Sequence, residues 1–185
     1  LDARNMVLHN AVVVAHAYMA AGTTNTAFLR EHLEWMGKAS NWAKFAATAS
    51  IGVVHAGHVK QSMALLQPYL PSGGLSTSPY SEGGALYGLG LIHANRSGGG
   101  ASATVSYLSD ALRNAGNDET VQHGACLGLG LAAMATGSAA LYDELKTVLY
   151  FDMAVGGEAA ALGLGLLLLG HGTSTELSRA ALAEL

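Results

Sequence analysis

The segment Gly124-Ala125-Cys126-Leu127-Gly128-Leu129-Gly130-Leu131 decides how this chain folds, because close copies of it recur along the sequence. Residues 84–91 and 159–166 align with it without gaps, residues 46–53 form a fourth copy, and residues 10–22 form a weaker fifth copy. The position of Gly130 is called here the third core position. It recurs at spacings of 35, 38, 40 and 35 residues, at Ala17, Gly52, Gly90, Gly130 and Gly165.

A period of 35–40 residues is that of a pair of helices. One such pair is too short to bury its own apolar surface, so consecutive pairs stack into a solenoid. We predict that residues 1–185 form a single all-α solenoid of about five helix-turn-helix units. The glycine-rich first helices are predicted near residues 6–21, 42–56, 81–95, 121–135 and 156–169. The more amphipathic second helices are predicted near residues 26–36, 59–70, 101–114, 141–150 and 175–185.

The leucines at 127, 129 and 131 alternate with period two, which is a pattern typical of a β-strand. We reject a strand for three reasons. Glycine is depleted in strands, the flanking alanines favour a helix, and the apolar segments run past ten residues. A helix that is apolar on every face is one that is buried on every face.

Each glycine inside a helix costs about 1 kcal/mol relative to alanine. A close approach between the backbones of stacked helices would offset this cost. Gly124 and Gly128 are spaced i and i+4 and share one helical face, as do Gly84 and Gly88. We therefore expect Gly128→Leu to overpack the stack and unfold it, whereas Gly99→Ala in an exposed loop should be tolerated.

The chain has a net charge of −4, 50% hydrophobic residues and 12% charged residues. This composition excludes intrinsic disorder, and the lack of a basic excess argues against nucleic-acid binding. The longest apolar run, residues 159–169, has eleven residues and is well short of the ~20 that span a bilayer. So few charges predict that partners cover part of the surface, and that uncovered end units self-associate.

The side chains offer no constellation typical of catalysis or metal binding. The eight histidines lack metal-ligand spacing, and we expect His55 and His93, which share one repeat position, to cap carbonyl groups at helix ends. The single cysteine, Cys126, excludes an internal disulfide, fits a reducing compartment and is expected to be inert. The glycine pairs lack the third glycine of a dinucleotide-binding loop. The sequence thus predicts no catalytic residue, cofactor, metal or small-molecule ligand.

Two further groups of side chains are assigned structural roles. The carboxylates Glu82, Asp152 and Glu158 lie near the starts of glycine-rich helices, where we expect them to be solvated or to stabilise the positive helix end. Trp42 and Phe45 are spaced i and i+3, and we expect them to wedge one unit against the next.

The stretch from Asn41 to His55 (Asn-Trp-Ala-Lys-Phe-Ala-Ala-Thr-Ala-Ser-Ile-Gly-Val-Val-His) resembles the proteasome/cyclosome repeat, as do residues 86–95 and Arg4-Asn5-Met6. This repeat occurs in the two largest non-ATPase subunits of the proteasome regulatory particle and in the largest subunit of the anaphase-promoting complex. The resemblance covers nearly the whole chain and implies an arc of the closed toroid that these repeats form.

The resemblance also implies a function, that of a non-catalytic scaffold in the base of the 19S regulatory particle. Its expected partners are the ATPase ring, the lid and ubiquitin receptors, and its expected location is the cytoplasm and nucleus. Three other functions stay open. The first is a scaffold of the anaphase-promoting complex, but the match over residues 41–55 argues against it. The second is a peptide-binding helical-repeat receptor, which would need a concave groove with exposed polar and aromatic anchors. The third is an enzyme, which a positive zinc assay or a positive screen for hydrolase or ATPase activity would indicate.

Overall fold

The computed structural model describes residues 6–71, 78–96, 101–151 and 153–184. Arg4, Asn5, Gly99 and Asp152 therefore lie outside the described residues. In chain order the helices are α1 (Met6–Met19), α2 (Ala27–Glu31), α3 (Leu33–Gly37), α4 (Asn41–Val54), α5 (Ser62–Leu66), α6 (Pro79–His93), α7 (Ala101–Asn114), α8 (Glu119–Ala132), α9 (Ala139–Tyr150), α10 (Ala154–Leu167) and α11 (Glu176–Glu184). The described residues contain no β-strand, so the α-solenoid prediction is confirmed.

The five glycine-rich helices α1, α4, α6, α8 and α10 form one layer, in which each helix packs against the next in chain order. The helices between them form a second layer. Here α5, α7 and α9 pack against the glycine-rich helix that follows them, namely α6, α8 and α10. The second, third and fourth units are therefore each joined to the next unit through both layers.

Two of the second helices are less regular than the sequence predicts. The helix predicted over 26–36 is divided into α2 and α3, because His32 leaves the helical region with φ −121° and ψ 27°. The helix predicted over 59–70 is instead a 3-10 turn at Val59–Gln61, then α5, then a 3-10 turn at Gln67–Tyr69. Pro68 lacks the N–H group that an α-helix would need at that position.

The ends of the glycine-rich helices follow local chemistry. Helix α6 begins with Pro79, whose fixed φ suits the first helical turn. Helix α8 begins after Asp118, whose side chain accepts hydrogen bonds from the N–H groups of Thr120 and Val121 at 3.0 and 3.1 Å. These helices end two or three residues earlier than predicted, because residues with left-handed backbone conformations follow them.

The hydrophobic core lies between the two layers. Its fully buried members include leucines from both layers, among them Leu86, Leu108, Leu129, Leu145 and Leu167. A second, smaller cluster around Val13 and Trp35 holds α1 and α3 together. Within the described ranges, no helix is long and apolar enough to cross a bilayer.

Candidate functional site

The surfaces between consecutive glycine-rich helices carry the most specific geometry in the molecule. From the second unit onward, the third core position of one unit faces the second core position, two residues earlier in the pattern, of the next unit. The opposed pairs are Gly52 with Gly88, Gly90 with Gly128, and Gly130 with Gly163. We call these the glycine contacts.

The glycine contacts bring backbone directly against backbone. A Cβ atom added to Gly90 would lie 2.5 Å from the Cα of Gly128, and one added to Gly130 would lie 2.6 Å from the Cα of Gly163. Real Cβ atoms essentially never approach that closely, so no side chain fits at these positions. The predicted close approach of the helix backbones is confirmed.

A leucine from the second layer rests on each second core glycine. An added Cβ at Gly88 would meet a methyl group of Leu66 at 3.3 Å, and one at Gly128 would meet Leu108 at 3.2 Å. At Gly163 the corresponding leucine is Leu145, also at 3.3 Å. These leucines come from α5, α7 and α9. The second helix of the preceding unit therefore packs against each glycine contact.

The turns that follow the glycine-rich helices form a second connection between units. Five residues after the third core position, the backbone is left-handed in every unit, at Gly22, Gly57, Asn95, Ala135 and Gly170. The N–H groups of Gly22, Gly57 and Ala135 donate to carbonyl oxygens at the end of the next glycine-rich helix, at 2.9–3.0 Å. These bonds satisfy carbonyls that a helix end otherwise leaves without partners.

Two further turn residues donate in the same way. The N–H of Thr24 donates to Val54 O at 3.0 Å, and the N–H of Gly137 donates to Leu167 O at 3.1 Å. The residue-by-residue interpretation of the sequence missed these connections. The glycines and asparagine five residues beyond the third core position were the signal that could have found them, since both residue types favour left-handed helix ends.

Several histidines donate to backbone carbonyls. His55 Nδ1 donates to Ile51 O at 2.9 Å, which confirms its predicted capping role. His9 donates to Trp35 O at 3.0 Å, His58 to Gly22 O at 3.1 Å, and His123 to Val155 O at 2.9 Å. The last three bonds join segments far apart in the sequence, so these imidazoles act as structural links.

The prediction that His93 caps a carbonyl group is wrong. Its imidazole is buried, with Nε2 lying 2.9 Å from Ser62 Oγ and 3.2 Å from Thr104 Oγ1. Because the Ser62 hydroxyl donates to Val59 O, its oxygen accepts the Nε2 proton of His93. His93 Nδ1 has no partner among the described residues, so the site favours the neutral imidazole. Burial accordingly lowers the pKa of His93.

This burial predicts a pH dependence of stability. The unfolded chain takes up a proton at His93 as the pH falls through about 6.5, whereas the folded chain does so only at a lower pH. The free energy of unfolding should therefore fall below pH 6.5, with a contribution from His93 of at most about 1.4 kcal/mol per pH unit. Urea unfolding of the parent chain and of His93→Gln, at pH 7.5 and at pH 5.5, measures the contribution of His93 to the free energy of unfolding. An equal loss of stability in both chains would contradict it.

Aromatic side chains join three units at the starts of their glycine-rich helices. The Trp42 ring lies 5.3 Å from Phe45, 5.5 Å from Tyr80 and 5.2 Å from His123, measured between ring centroids. Phe45 also approaches His123 at 5.6 Å. The predicted wedge of Trp42 and Phe45 between units is confirmed.

The acidic residues near the helix starts have different surroundings. Glu82 lies in the first turn of α6, where burial and, to a lesser degree, the charge of Asp118 raise the pKa of its carboxyl group. Glu158 is exposed. Asp118 caps α8, and the Glu119 carboxylate accepts a hydrogen bond from the N–H of Val155 in the first turn of α10 at 3.3 Å; the sequence interpretation singled out neither residue. Among the described residues, no group of three or more His, Cys, Asp and Glu side chains could hold a metal ion.

Cys126 is fully buried, and burial raises the pKa of its thiol to about 12. A thiol that is both inaccessible and protonated is a poor nucleophile. We expect iodoacetamide at pH 8 to leave the folded chain unlabelled and to label it fully in 6 M guanidinium, as read by intact mass. Labelling of the folded chain at the unfolded rate would contradict this expectation.

Comparisons with known proteins agree with the repeat geometry. Residues 46–77 and 124–158 match the family model of the proteasome/cyclosome repeat. The chain is 54% identical over 185 residues to the 26S proteasome non-ATPase regulatory subunit 1 homolog A of Arabidopsis thaliana. The matched region is 99% of this chain and 18% of that protein. It is 53% identical over 167 residues to the 26S proteasome non-ATPase regulatory subunit 1 of Drosophila melanogaster, and the match covers 90% of this chain and 16% of that protein. It is 47% identical over 178 residues to the 26S proteasome regulatory subunit rpn2 of Schizosaccharomyces pombe, and the match covers 96% of this chain and 18% of that protein. The chain thus spans less than a fifth of the length of these relatives.

Proposed function

Because this chain carries the proteasome/cyclosome repeat, we propose that it is part of a non-catalytic scaffold subunit in the base of the proteasome 19S regulatory particle. The observation that carries the proposal is the 54% identity over 99% of the chain to a protein named as a 26S proteasome regulatory subunit. The scaffold would hold the ATPase ring, the lid and ubiquitin receptors in register during degradation of ubiquitylated proteins. We propose the cytoplasm and nucleus as its locations.

The geometry of the repeat suits such a role. A scaffold must keep its binding surfaces at fixed separations, and the glycine contacts fix the spacing of α4, α6, α8 and α10 by direct backbone contact. The turn-to-helix hydrogen bonds add a second constraint at one end of α4, α6 and α10. The second layer presents exposed polar side chains, including Ser106 and Asp143, to solvent and to partners.

The test uses the full-length protein that contains this chain, tagged in its own cells and purified with ATP present. We expect proteasome peptidase activity and ATPase subunits to co-purify with it. Co-purification of anaphase-promoting subunits instead, or of neither complex, would overturn the proposed function.

A pair of variants ties the result to this segment. Gly128→Leu blocks a glycine contact and should reduce co-purified peptidase activity at least tenfold. Thr147→Ala, at an exposed position of α9, should leave that activity at the parent level. Equal recovery with both variants would show that the stacked helices are not needed for assembly.

A further inference from the structure

Three of the turns after glycine-rich helices carry a nitrogen-bearing side chain that contacts the turn of the preceding unit. In each case this side chain lies six residues beyond the third core position, and its neighbour is a glycine with a left-handed backbone. The three pairs are His58 with Gly22, Arg96 with Gly57, and His171 with Gly137. The same position in the repeat therefore places a basic or imidazole side chain at one edge of the helix array.

The pair of Gly57 and Arg96 holds a cation against the backbone. A Cβ added to Gly57 would lie 2.5, 3.0 and 3.2 Å from the Nη2, Cζ and Nε atoms of Arg96, so the guanidinium group packs against the Cα of this glycine. A guanidinium group has five N–H donors, and those of Arg96 have no acceptor among the described residues. Because the group is already positioned, it loses little conformational freedom when it binds an anion.

A second cation, Lys60, lies beside the same glycine. Residues 57–61 line a cleft of about 350 Å³, and the Lys60 side chain is exposed at this cleft. Gly57 both contacts Arg96 and lines the cleft, so the two cations share one part of the surface. Within the described ranges, neither Lys60 nor Arg96 forms an ion pair. We call residues 57–61 together with Arg96 the basic turn surface.

The sequence around the basic turn surface is nearly free of acidic residues. Residues 35–109 contain four lysine or arginine residues and one acidic residue, Glu82. Glu82 lies in the first turn of α6, whereas Arg96 follows the end of that helix at His93. At 1.5 Å per residue, Glu82 is about 16 Å from that helix end. The basic turn surface is therefore positive, although the net charge of the whole chain is −4.

We propose that the basic turn surface binds an acidic segment of a partner protein. One carboxylate of the segment accepts two parallel hydrogen bonds from the guanidinium group of Arg96, and a second carboxylate pairs with Lys60. Nucleic acid fits this surface less well, because two cations neutralise few phosphates and the net charge of the chain is negative. The inference rests on the geometry and charge of these turns, and it does not depend on the proposed scaffold role.

Fluorescence anisotropy with the full-length protein that contains this chain gives the first test. The probe is a labelled peptide of four Glu-Gly-Ser repeats, and a peptide of four Gln-Gly-Ser repeats is the neutral control. We expect the glutamate peptide to bind at least tenfold more tightly in 50 mM salt, and the difference to shrink in 300 mM salt because salt screens exposed charges. Equal binding of the two peptides, or no binding of either, would overturn the proposal. Tighter binding of a 12-nucleotide single-stranded DNA than of the glutamate peptide would overturn it as well.

Charge-reversal variants locate the binding site. Arg96→Glu and Lys60→Glu should each weaken binding of the glutamate peptide at least fivefold. Lys60 has no hydrogen bond within the described part of the chain, so its replacement tests the surface without disturbing the turn. Lys38→Glu makes the same charge change at an exposed position after α3 and should bind like the parent. Equal weakening by all three variants would show that net charge alone drives binding, and unchanged binding by Arg96→Glu and Lys60→Glu would place the site elsewhere. Either result contradicts the proposal.

Discussion

Replacing Gly128 by leucine should unfold the chain or remove most of its stability. An added Cβ would lie 2.6 Å from the carbonyl oxygen of Leu86 and 3.2 Å from a methyl group of Leu108. Overpacking a core typically costs about 1–3 kcal/mol where side chains can move aside. Here the main obstacle is backbone, and a domain has only about 5–15 kcal/mol to lose. Thermal and urea unfolding followed by circular dichroism should show a lost or strongly shifted transition.

Gly165→Leu is the matched control for this experiment. It places the same side chain at a core position of another glycine-rich helix, where no atom lies within 4 Å of the added Cβ. Leucine is also a better helix former than glycine, by up to about 1 kcal/mol. We expect Gly165→Leu to be as stable as the parent or more stable, when both are measured at a concentration at which they are monomeric. Equal destabilisation by the two leucines would show that the glycine contacts do not explain the mid-helix glycines.

Leu108→Ala should cost about 3 kcal/mol, within the range of about 2–5 kcal/mol measured for fully buried leucines. Leu108 is 0% exposed and lies where α7 meets the glycine contact of α8. Truncation leaves a cavity that rigid neighbouring backbones cannot close. Urea unfolding gives the free energy, and the slope of the transition should stay at the parent value.

Leu33→Ala makes the same chemical change at a side chain that is 64% exposed. Its expected cost is below about 0.5 kcal/mol, because little buried surface and no cavity are involved. If Leu108→Ala lost as little stability as Leu33→Ala, the second layer would not stabilise the glycine contacts. The roles assigned to Leu66 and Leu145 at the equivalent positions would then fail as well.

The repeat and the first layer could be predicted from the sequence because glycine marks both. Gly90, Gly130 and Gly165 set the period, and glycine in an apolar helix has few explanations other than backbone contact. The sequence did not show which neighbour each glycine faces. Gly88 and Gly90 are two residues apart and point to opposite neighbours, and this direction emerges only when the helices are placed side by side.

The second layer was harder to predict for a physical reason. Its leucines, such as Leu66, Leu108 and Leu145, are ordinary core residues, and the amphipathic pattern does not show which of them meets a glycine. Its helices also depend on tertiary packing, so α5 is short and α2 and α3 are separate. The misassigned role of His93 has the same origin, because its partners Ser62 and Thr104 come from that layer.

The glycine contacts have a mechanical consequence. A joint between ordinary helices contains side chains whose χ angles can rotate, so it yields under a small load. The joints between α4, α6, α8 and α10 contain glycines that have no χ angles, and their backbone atoms are already in contact. Compressing the array must push main-chain atoms into one another, and pulling α4 from α6, or α8 from α10, must lengthen the turn-to-helix hydrogen bonds. A displacement of α4 is therefore transmitted to α10 with little change in the spacing of the helices between them.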